Sequence, residues 1–522
     1  MRVGSVDLIY LDPPFNSNRE YNAIYKDETG RPLPDQIEAF CDLWELTEER
    51  ERALRNMPVL MRESGIDDAT VEFWRLWMNA LRGTQPRLLA YLSYMVERLL
   101  QMKVILKPTG SLYLHCDPTA SHYIKAMLDA IFGHKNFRNE IVWQKIRSSK
   151  AQKSGFGAVH DTIFLYRRSA NSLFNKLYTS LPDKRVKTHY GKVEPETGRR
   201  YGLYDFTQAG PGKPRRFGDR EIAPPRGKHW IWSQDRIDDA MEDGRLVFTG
   251  ENMVRVKRYL DESRGNPVED IWTDIPPINS MAKERMGYAT QKPLALMERI
   301  IQASSNPGDV VLDPFCGCAT TLEAAERLGR KWIGIDIAIH AIKRVAKIRL
   351  QDRLGLVEGT DFTVEGVPRN LEGARDLWER DKYHFQKWAV EQVDGFVTTR
   401  RTADGGIDGR LYFRIPGERD LQSMALEVKG GSSVNISVVR DLRGVLERDN
   451  ALMAGLIVME PLSHRKSMNF VREMSSAGDL MIEGLPYPKM QMLTVQDILD
   501  GKRFKTPGAV GRGERQPALP FG

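Results

Sequence analysis

Residues 309–325 read D-V-V-L-D-P-F-C-G-C-A-T-T-L-E-A-A. An apolar, β-branched run ending at Leu312 passes through a loop of small residues into a helix-forming stretch that starts near Thr320. A strand that feeds a helix this directly opens a β/α unit. Gly317 lets the backbone approach a ligand closely, and the loop leads onto a helix N-terminus, whose free N–H groups favour a carboxylate or a phosphate. The loop lacks the G-K-[ST] of a phosphate cradle, which argues against ATP.

Just downstream, K-W-I-G-I-D (331–336) predicts a second strand ending in Asp336, about 20 residues after the glycine, where an acid can hydrogen-bond a ribose. The pair reads as the site of a nucleoside-containing cofactor, with an ordinary tight β/α turn as the plain alternative. Upstream, a helix is expected over 292–305 and a turn at Asn306, Pro307 and Gly308. Near the N-terminus, 5–11 (S-V-D-L-I-Y-L) predicts a buried strand stopped by Asp12, Pro13 and Pro14. Helical periodicity over 72–106, a turn and then a strand within 108–116, a helix over 119–132 and strands at 139–144 and 161–167 continue the alternation. The expected fold class is α/β, with a mostly parallel sheet covered on both faces.

The chain has 522 residues, enough for three or four domains at roughly 100–200 residues each. No apolar run approaches the roughly 18–20 residues of a membrane span, and the N-terminus lacks the pattern of a secretory signal. Cys41, Cys116, Cys316 and Cys318 are too few for a disulfide framework and read as reduced thiols of a cytoplasmic protein. Cys316 and Cys318 have no second pair nearby to complete a zinc site. The net charge is +7, yet residues 145–260 carry 24 basic and 13 acidic side chains, which leaves the remaining 406 residues at −4. Aromatics interleave that segment (Trp143, Tyr201, Phe217, Trp230, Trp232, Tyr259), as expected of a surface that tracks phosphates, the alternative being a solvated face. Between about 170 and 280 the pattern becomes irregular, and the boundaries expected are 1–170 and 281–355 for two halves of one α/β domain, 171–280 for a basic insert, 356–380 for a linker, 381–505 for a further α/β unit and 506–522 for a disordered tail.

The stretch L-I-Y-L-D-P-P-F-N (8–16) carries a second chemical signal. Asp12 and the Pro13 carbonyl are two fixed acceptors that can hold one amino group. An exocyclic amine delocalises its lone pair into the base, and two acceptors on its hydrogens favour the tetrahedral form in which that pair can attack. Phe15 offers a face on which an extruded base stacks.

The third signal is R-T-A-D-G-G-I-D-G-R-L-Y-F (401–413) followed by M-A-L-E-V-K-G-G (424–431). In a strand, Glu427 and Lys429 share one face. Asp408 can join them around a Mg²⁺ ion, with Asp408 and Glu427 as metal ligands, Lys429 beside the attacking water and Glu391 assisting from the preceding helix. The bland reading is an amphipathic strand. His115, His160 and His189 lack ligand spacing and read as structural or surface residues, and the methionines of 453–490 read as core.

D-P-P-F near the start, Q-K-P-L-A-L-M-E-R (291–299), D-P-F-C-G-C-A-T-T from 313, and D-I-W-T-D-I-P-P-I-N-S (270–280) together resemble the amino-methylating DNA methyltransferases. The order, catalytic motif first and cofactor motif last around a basic variable region, resembles the β subgroup that includes type III modification subunits, over residues 1 to about 355. The resemblance implies a Rossmann-like seven-stranded sheet and S-adenosylmethionine as methyl donor. It implies methyl transfer to a flipped base in double-stranded DNA, with D-P-P favouring adenine N6 over cytosine N4. By position, Asp12, Pro13, Pro14 and Phe15 fall in the catalytic motif and Asp313, Phe315, Gly317, Thr320 and Asp336 in the cofactor motifs, while Lys292 lies in the segment closing over the methionine end. Two departures stand out. Ala319 replaces a family glycine, which is tolerable if its φ is helical. Relatives also place a strand and an acidic loop before the catalytic strand, a segment not found in residues 1–5, so that either the start is assigned late or cofactor binding is weakened.

Residues 380–500 resemble the PD-(D/E)xK nucleases of the Mrr type, which implies either Mg²⁺-dependent cleavage or a non-cleaving DNA-contact module. The tail Q-P-A-L-P-F, Gln516 to Phe521, is similar to sliding-clamp-binding peptides. A restriction subunit is a further implied partner. The alternatives are a single-chain restriction-modification enzyme, a non-catalytic DNA-binding relative, and a methyltransferase for RNA or protein.

Overall fold

A computed structural model describes residues 1–13, 20–23, 37–41, 44–146, 155–250, 252–279, 282–286, 291–336, 342, 345–397, 407–418, 421–431, 434–448 and 451–508. Pro14, Phe15 and the segment Gln516 to Phe521 lie outside these residues.

The central sheet has seven strands: β1 (Val6–Leu11), β2 (Leu106–Cys116), β3 (Phe137–Gln144), β4 (His160–Arg167), β5 (Ile271–Trp272), β6 (Val310–Asp313) and β7 (Lys331–Gly334). Their spatial order is β5-β3-β4-β2-β1-β6-β7, and only β4 runs against its neighbours. All six residues of β1 are buried, as expected for a strand with parallel partners on both sides, where no face alternates with water. Its one charge is paired. Asp7 accepts from Lys107 Nζ at 2.8 Å and from the Val310 N–H at 2.9 Å, which ties β1 to both flanking strands. Ile9 is fully buried, and truncating such a side chain to Ala costs about 2–5 kcal/mol.

The span 72–106, read as helical, is divided. Helices α1 (Glu48–Glu63) and α2 (Asp68–Thr84) precede α3 (Pro86–Ile105), and the break falls at Gln85 because Pro86 has no N–H to continue α2 but suits the first turn of a new helix. Thr47 and Asp67 cap α1 and α2 by accepting from Arg50 N and Thr70 N. The apolar faces of α1 to α3 and of α4 (Ser121–Phe132) share one core with β1 and β2. Helices α5 (Leu294–Ser304) and α6 (Thr320–Arg327) flank β6 in sequence.

Residues Phe174–Asp270 form a separate compact unit. Instead of irregular chain it holds a four-stranded antiparallel sheet, further short strand pairs and two helices, Asp183–His189 and Gln234–Glu242. The aromatic reading of this segment is corrected here. Phe217 and Trp230 are buried together with Phe206, Ile237 and Val256, and Trp143 and Tyr259 are buried as well. The Trp230 N–H is satisfied by the Ile222 carbonyl at 3.2 Å. Phe217, Trp230 and Tyr259 thus build cores and Tyr201 and Trp232 are half-buried, while the surface of the unit exposes Phe174, Ile231, Phe248 and Met253 beside its charged residues.

The C-terminal residues form a five-stranded mixed sheet in the order of the chain: β8 (Phe396–Val397), β9 (Gly409–Phe413), β10 (Gln422–Lys429), β11 (Met453–Val458) and β12 (Met490–Thr494). Strands β10, β11 and β12 are parallel, and β9 is antiparallel to its neighbours. Helices α7 (Leu371–Arg380) and α8 (Lys382–Gln392) cover one face, with Ala374, Leu377, Phe385 and Trp388 against Leu426 and Val428. The span 356–380, expected as linker, therefore ends in a helix whose apolar side belongs to this core. Met453 and Met459 are buried in it and Met474 and Met490 in a second cluster, whereas Met468 and Met481 are exposed.

Candidate active site

Strands β1 and β6 lie side by side with Ile9 opposite Leu312, so the peptide D-P-P and the loop D-P-F-C-G-C, about 300 residues apart in the chain, leave the same edge of the sheet. Asp313 stands opposite Gly334 of β7, and Asp336 leaves that strand two residues later. The carboxyl ends of parallel strands are where α/β sheets bind ligands.

The loop after β6 is held from several sides. Gly317 has φ of 48° and donates its N–H to Asp336 Oδ2 at 2.8 Å, while Cys316 N–H bonds the Ile335 carbonyl at 2.9 Å. Asp313 accepts from the Phe315 N–H at 3.0 Å and from the Thr321 hydroxyl at 2.5 Å, so both its oxygens brace the loop. Burial, reinforced by the charges of Asp12 and Asp336 and opposed by these hydrogen bonds, pushes the Asp313 carboxyl up to about 7. Phe315 packs at the core edge, 6.4 Å from the Tyr94 ring. Thr320, at the first turn of α6, is buried, its hydroxyl 3.5 Å from Cys318 Sγ. Arg349, fully buried, pairs with the buried Glu323 of α6 and so fixes that helix, while Arg327 pairs with Glu323 within it. Ala319 differs from expectation: its φ of 54° is left-handed, so the alanine occupies a conformation that suits glycine. Gly334 lets α6 approach, since a Cβ there would sit 2.7 Å from Leu322.

At the edge of β1, Asp12 Oδ2 accepts from Lys292 Nζ at 2.5 Å. Its Oδ1 is buried and has no hydrogen-bond partner among the described residues. Lys292, expected near the methionine end of a cofactor, thus lies against the catalytic-motif aspartate. Pro13 is buried beside it. A set of polar residues lies beneath this point. Tyr10, two residues before Asp12 and so on the same face of β1, bonds His115 of β2, which in turn reaches Asp161 of β4. Only the apolar framing of these strands was visible, because their register is a property of the fold.

In the C-terminal sheet, Asp408 lies at the start of β9 and Glu427 and Lys429 on β10. Asp408 Oδ2 accepts from the Val428 N–H at 2.7 Å, and Lys429 Nζ lies 2.7 Å from Glu427 Oε1. Burial raises both carboxyls against the pull of Lys429, and Glu427 is raised further by Asp408. Glu391 lies on α8, which packs against β10. Among the described residues there is no group of three or more His, Cys, Asp and Glu side chains able to hold a metal, so Asp408 and Glu427 stand as a pair of hard oxygen donors. No helix among the described residues is long and apolar enough to cross a membrane.

The fold places a glycine loop, Asp336 and Asp12 on adjoining ends of one mostly parallel sheet. The family model for N6 and N4 methyltransferases, described as DNA methylase, matches residues 6–347, and the chain belongs to that family. It is 32% identical over 259 residues to the type II methyltransferase M.EcaI of Enterobacter cloacae, covering 49% of this chain and 57% of that protein. It is 24% identical over 351 residues to the StyLTI Mod subunit, part of a type III restriction-modification enzyme of Salmonella typhimurium, covering 63% and 47%. To the DNA adenine methyltransferase YhdJ of Escherichia coli it is 27% identical over 253 residues, covering 48% and 65%. The chain spans less than two-thirds of the length of each of these relatives.

Proposed function

We propose that this protein transfers a methyl group from S-adenosylmethionine to the exocyclic amino group of a flipped base in double-stranded DNA, adenine N6 being the acceptor. The observation that carries the reading is Asp12: one oxygen is anchored by Lys292, and the other is buried with no hydrogen-bond partner among the described residues, an arrangement that lacks only a donor. The base amine is that donor. Asp12 Oδ1 takes one amine hydrogen and the Pro13 carbonyl the other, which draws the nitrogen toward a tetrahedral shape with its lone pair facing the loop after β6. The D-P-P motif and the relative named as an adenine methyltransferase favour adenine; cytosine N4 is the alternative.

The residues on the neighbouring strand ends fit the cofactor. Gly317 keeps its left-handed turn without a side chain over the loop, and Asp336, held by the Gly317 N–H, would bond the ribose. Phe315 and Thr320 line the loop and Asp313 holds its shape. When bound, S-adenosylmethionine supplies an electrophilic methyl on a sulfonium. The protein's share is alignment and exclusion of water, and alignment of this kind is worth on the order of 7–11 kcal/mol. The unit Phe174–Asp270 is assigned the DNA contact on its basic composition.

The reading is tested with labelled S-adenosylmethionine and unmethylated duplex DNA, followed by digestion to nucleosides. N6-methyladenine is expected, with Asp12→Ala inactive yet still binding the cofactor. Unlabelled DNA, or full activity in Asp12→Ala, overturns the assignment.

A second activity is supported by the approach of Asp408, Glu427 and Lys429. The C-terminal sheet is assigned as a restriction-endonuclease-like domain in which Asp408 and Glu427 hold Mg²⁺ and Lys429 faces the attacking water, making one chain both modify and cut. DNA fragmentation that needs Mg²⁺ and is lost in Lys429→Met is the expected result. If no cutting occurs, a separate restriction subunit takes that role, as the likeness to a Mod subunit suggests. The setting assigned is the cytoplasm, with buried Cys116, Cys316 and Cys318 as free thiols.

A further inference from the structure

Beneath Asp12 lies a chain of four polar side chains that the proposed reaction does not use. The Tyr10 hydroxyl is 2.8 Å from His115 Nδ1, His115 Nε2 is 3.2 Å from Asp161 Oδ2, and Lys145 Nζ is 2.5 Å from Asp161 Oδ1. They come from β1, β2, β4 and the residue just after β3. Tyr10 is 1% exposed, His115 0% and Asp161 3%. Trp143 of β3 stands edge-on to His115 at 5.8 Å and anchors its own N–H on the Ile275 carbonyl at 3.0 Å.

The protons in this chain have one arrangement. Burial alone would raise the Asp161 carboxyl, but hydrogen bonds and charge from His115 and Lys145 bring it down to about 2, so it is an ionised acceptor. His115 must then carry its proton on Nε2, which leaves Nδ1 to accept from Tyr10. Burial and the positive charge of Lys292 push the imidazole below its ordinary value, outweighing the attraction of Asp161 and Asp12. Burial, followed by the charge of Asp12, pushes the Tyr10 phenol well up. Every member thus has a fixed role, and Tyr10 directs its only O–H away from Asp12. A protonated His115 would add a second positive charge near Asp12, and its Nδ1–H would turn the Tyr10 hydroxyl from donor into acceptor.

We infer that Tyr10, His115, Asp161 and Lys145 form a relay of positioning residues that locks the end of β1 and keeps the face beside Asp12 free of competing donors, so that the acceptor Oδ1 is reserved for the substrate amine. This rests on the methyltransferase reading above. The relay spans three adjacent strands, so it also resists sliding of β1 against β2, the motion that would move Asp12 and Pro13 together.

Two measurements test it. In kinetics, Tyr10→Phe keeps the ring and its packing but removes the hydroxyl. It should lower kcat on the order of ten- to a hundredfold, leaving KM for duplex DNA and the affinity for S-adenosylmethionine within about twofold. His115→Gln should do the same, and the double variant should lose no more than the worse single one, because both break one relay. In ¹⁵N NMR of histidine-labelled wild-type protein, His115 should show its proton on Nε2 and titrate below the ordinary imidazole range. An unchanged kcat in Tyr10→Phe, losses that multiply in the double variant, a loss carried by KM, or an imidazole that titrates near its ordinary value overturns the relay. Wild-type protein that labels no DNA overturns the methyltransferase reading instead, and the His115 spectrum still upholds or overturns the relay.

Discussion

Lys292 and Asp12, 280 residues apart, meet as an ion pair at 2.5 Å with both side chains mostly buried. A buried carboxylate whose partner is removed keeps the cost of its own desolvation, and it re-orients toward whatever donor remains. Lys292→Met should therefore swing Asp12 away from the position that receives the amine. Methyl transfer is expected to fall on the order of a hundredfold. Lys292→Arg should recover part of it. Cofactor affinity, measured by calorimetry, should change little, and a large loss there with normal kcat would return Lys292 to the cofactor end of the site.

Asp313 gives a pH dependence of stability with a definite sign. Its folded-state value of about 7 lies above the usual aspartate range, so the native state holds the proton more tightly than the unfolded chain. Stability from this group is present at low pH and is lost as pH rises from about 4 to about 7, at no more than about 1.4 kcal/mol per pH unit. Asp313→Asn keeps an acceptor for the Phe315 N–H and cannot ionise. Denaturant melts of the two proteins between pH 4 and pH 8 should show the wild type losing ground against the variant across that window. Parallel curves would contradict the assignment.

How much of this was legible follows from the kind of contact involved. Strands β1 and β6 could be read because a strand buried on both faces is written as a nearly continuous apolar run, here Val6–Leu11, broken only by the paired Asp7, and Val310–Leu312, each ended by Asp-Pro. The glycine loop and Asp336 could be read because their chemistry is local. Lys292 against Asp12 could not, since the pairing depends on which strand end the α5 entry reaches. His115 carried no ligand spacing and was taken for a structural or surface residue. Its partners come from register, with His115 opposite Ile163 and Trp143 opposite Asp161, which no linear pattern encodes. The Phe174–Asp270 unit misled for another reason. Its strands are two to seven residues long, too short for periodicity to separate core aromatics from exposed ones.

Ala319 stores strain that a single change should relieve. An alanine in the left-handed region costs roughly 1–2 kcal/mol that glycine does not incur, and glycine gives back part of this in unfolded-state entropy and lost packing. Since Ala319 is fully buried, Ala319→Gly should stabilise by about 0.5–1 kcal/mol and Ala319→Val should destabilise by more than that. Thermal melts give the order Gly, Ala, Val. An order with Ala above Gly would mean that its methyl packing outweighs the strain.

The Asp408 to Val428 hydrogen bond decides how the C-terminal site is to be tested. Asp408→Ala would leave a strand N–H without its acceptor, costing about 1–3 kcal/mol, so lost cutting in that variant could reflect damage to the sheet. Asp408→Asn keeps an acceptor for Val428 while removing the charge that a cation needs. A divalent ion that binds only the folded protein raises its stability by RT ln(1 + [L]/Kd). Millimolar Mg²⁺ should therefore raise the melting temperature of the wild type, and this shift should vanish in Asp408→Asn while the metal-free melting temperature stays close to wild type. Mg²⁺ should also lower the Glu427 carboxyl, now raised by burial and by its neighbour Asp408, so the shift should grow as pH rises through the carboxylate range. A Mg²⁺ shift of equal size in wild type and Asp408→Asn would remove these two carboxylates as the metal ligands.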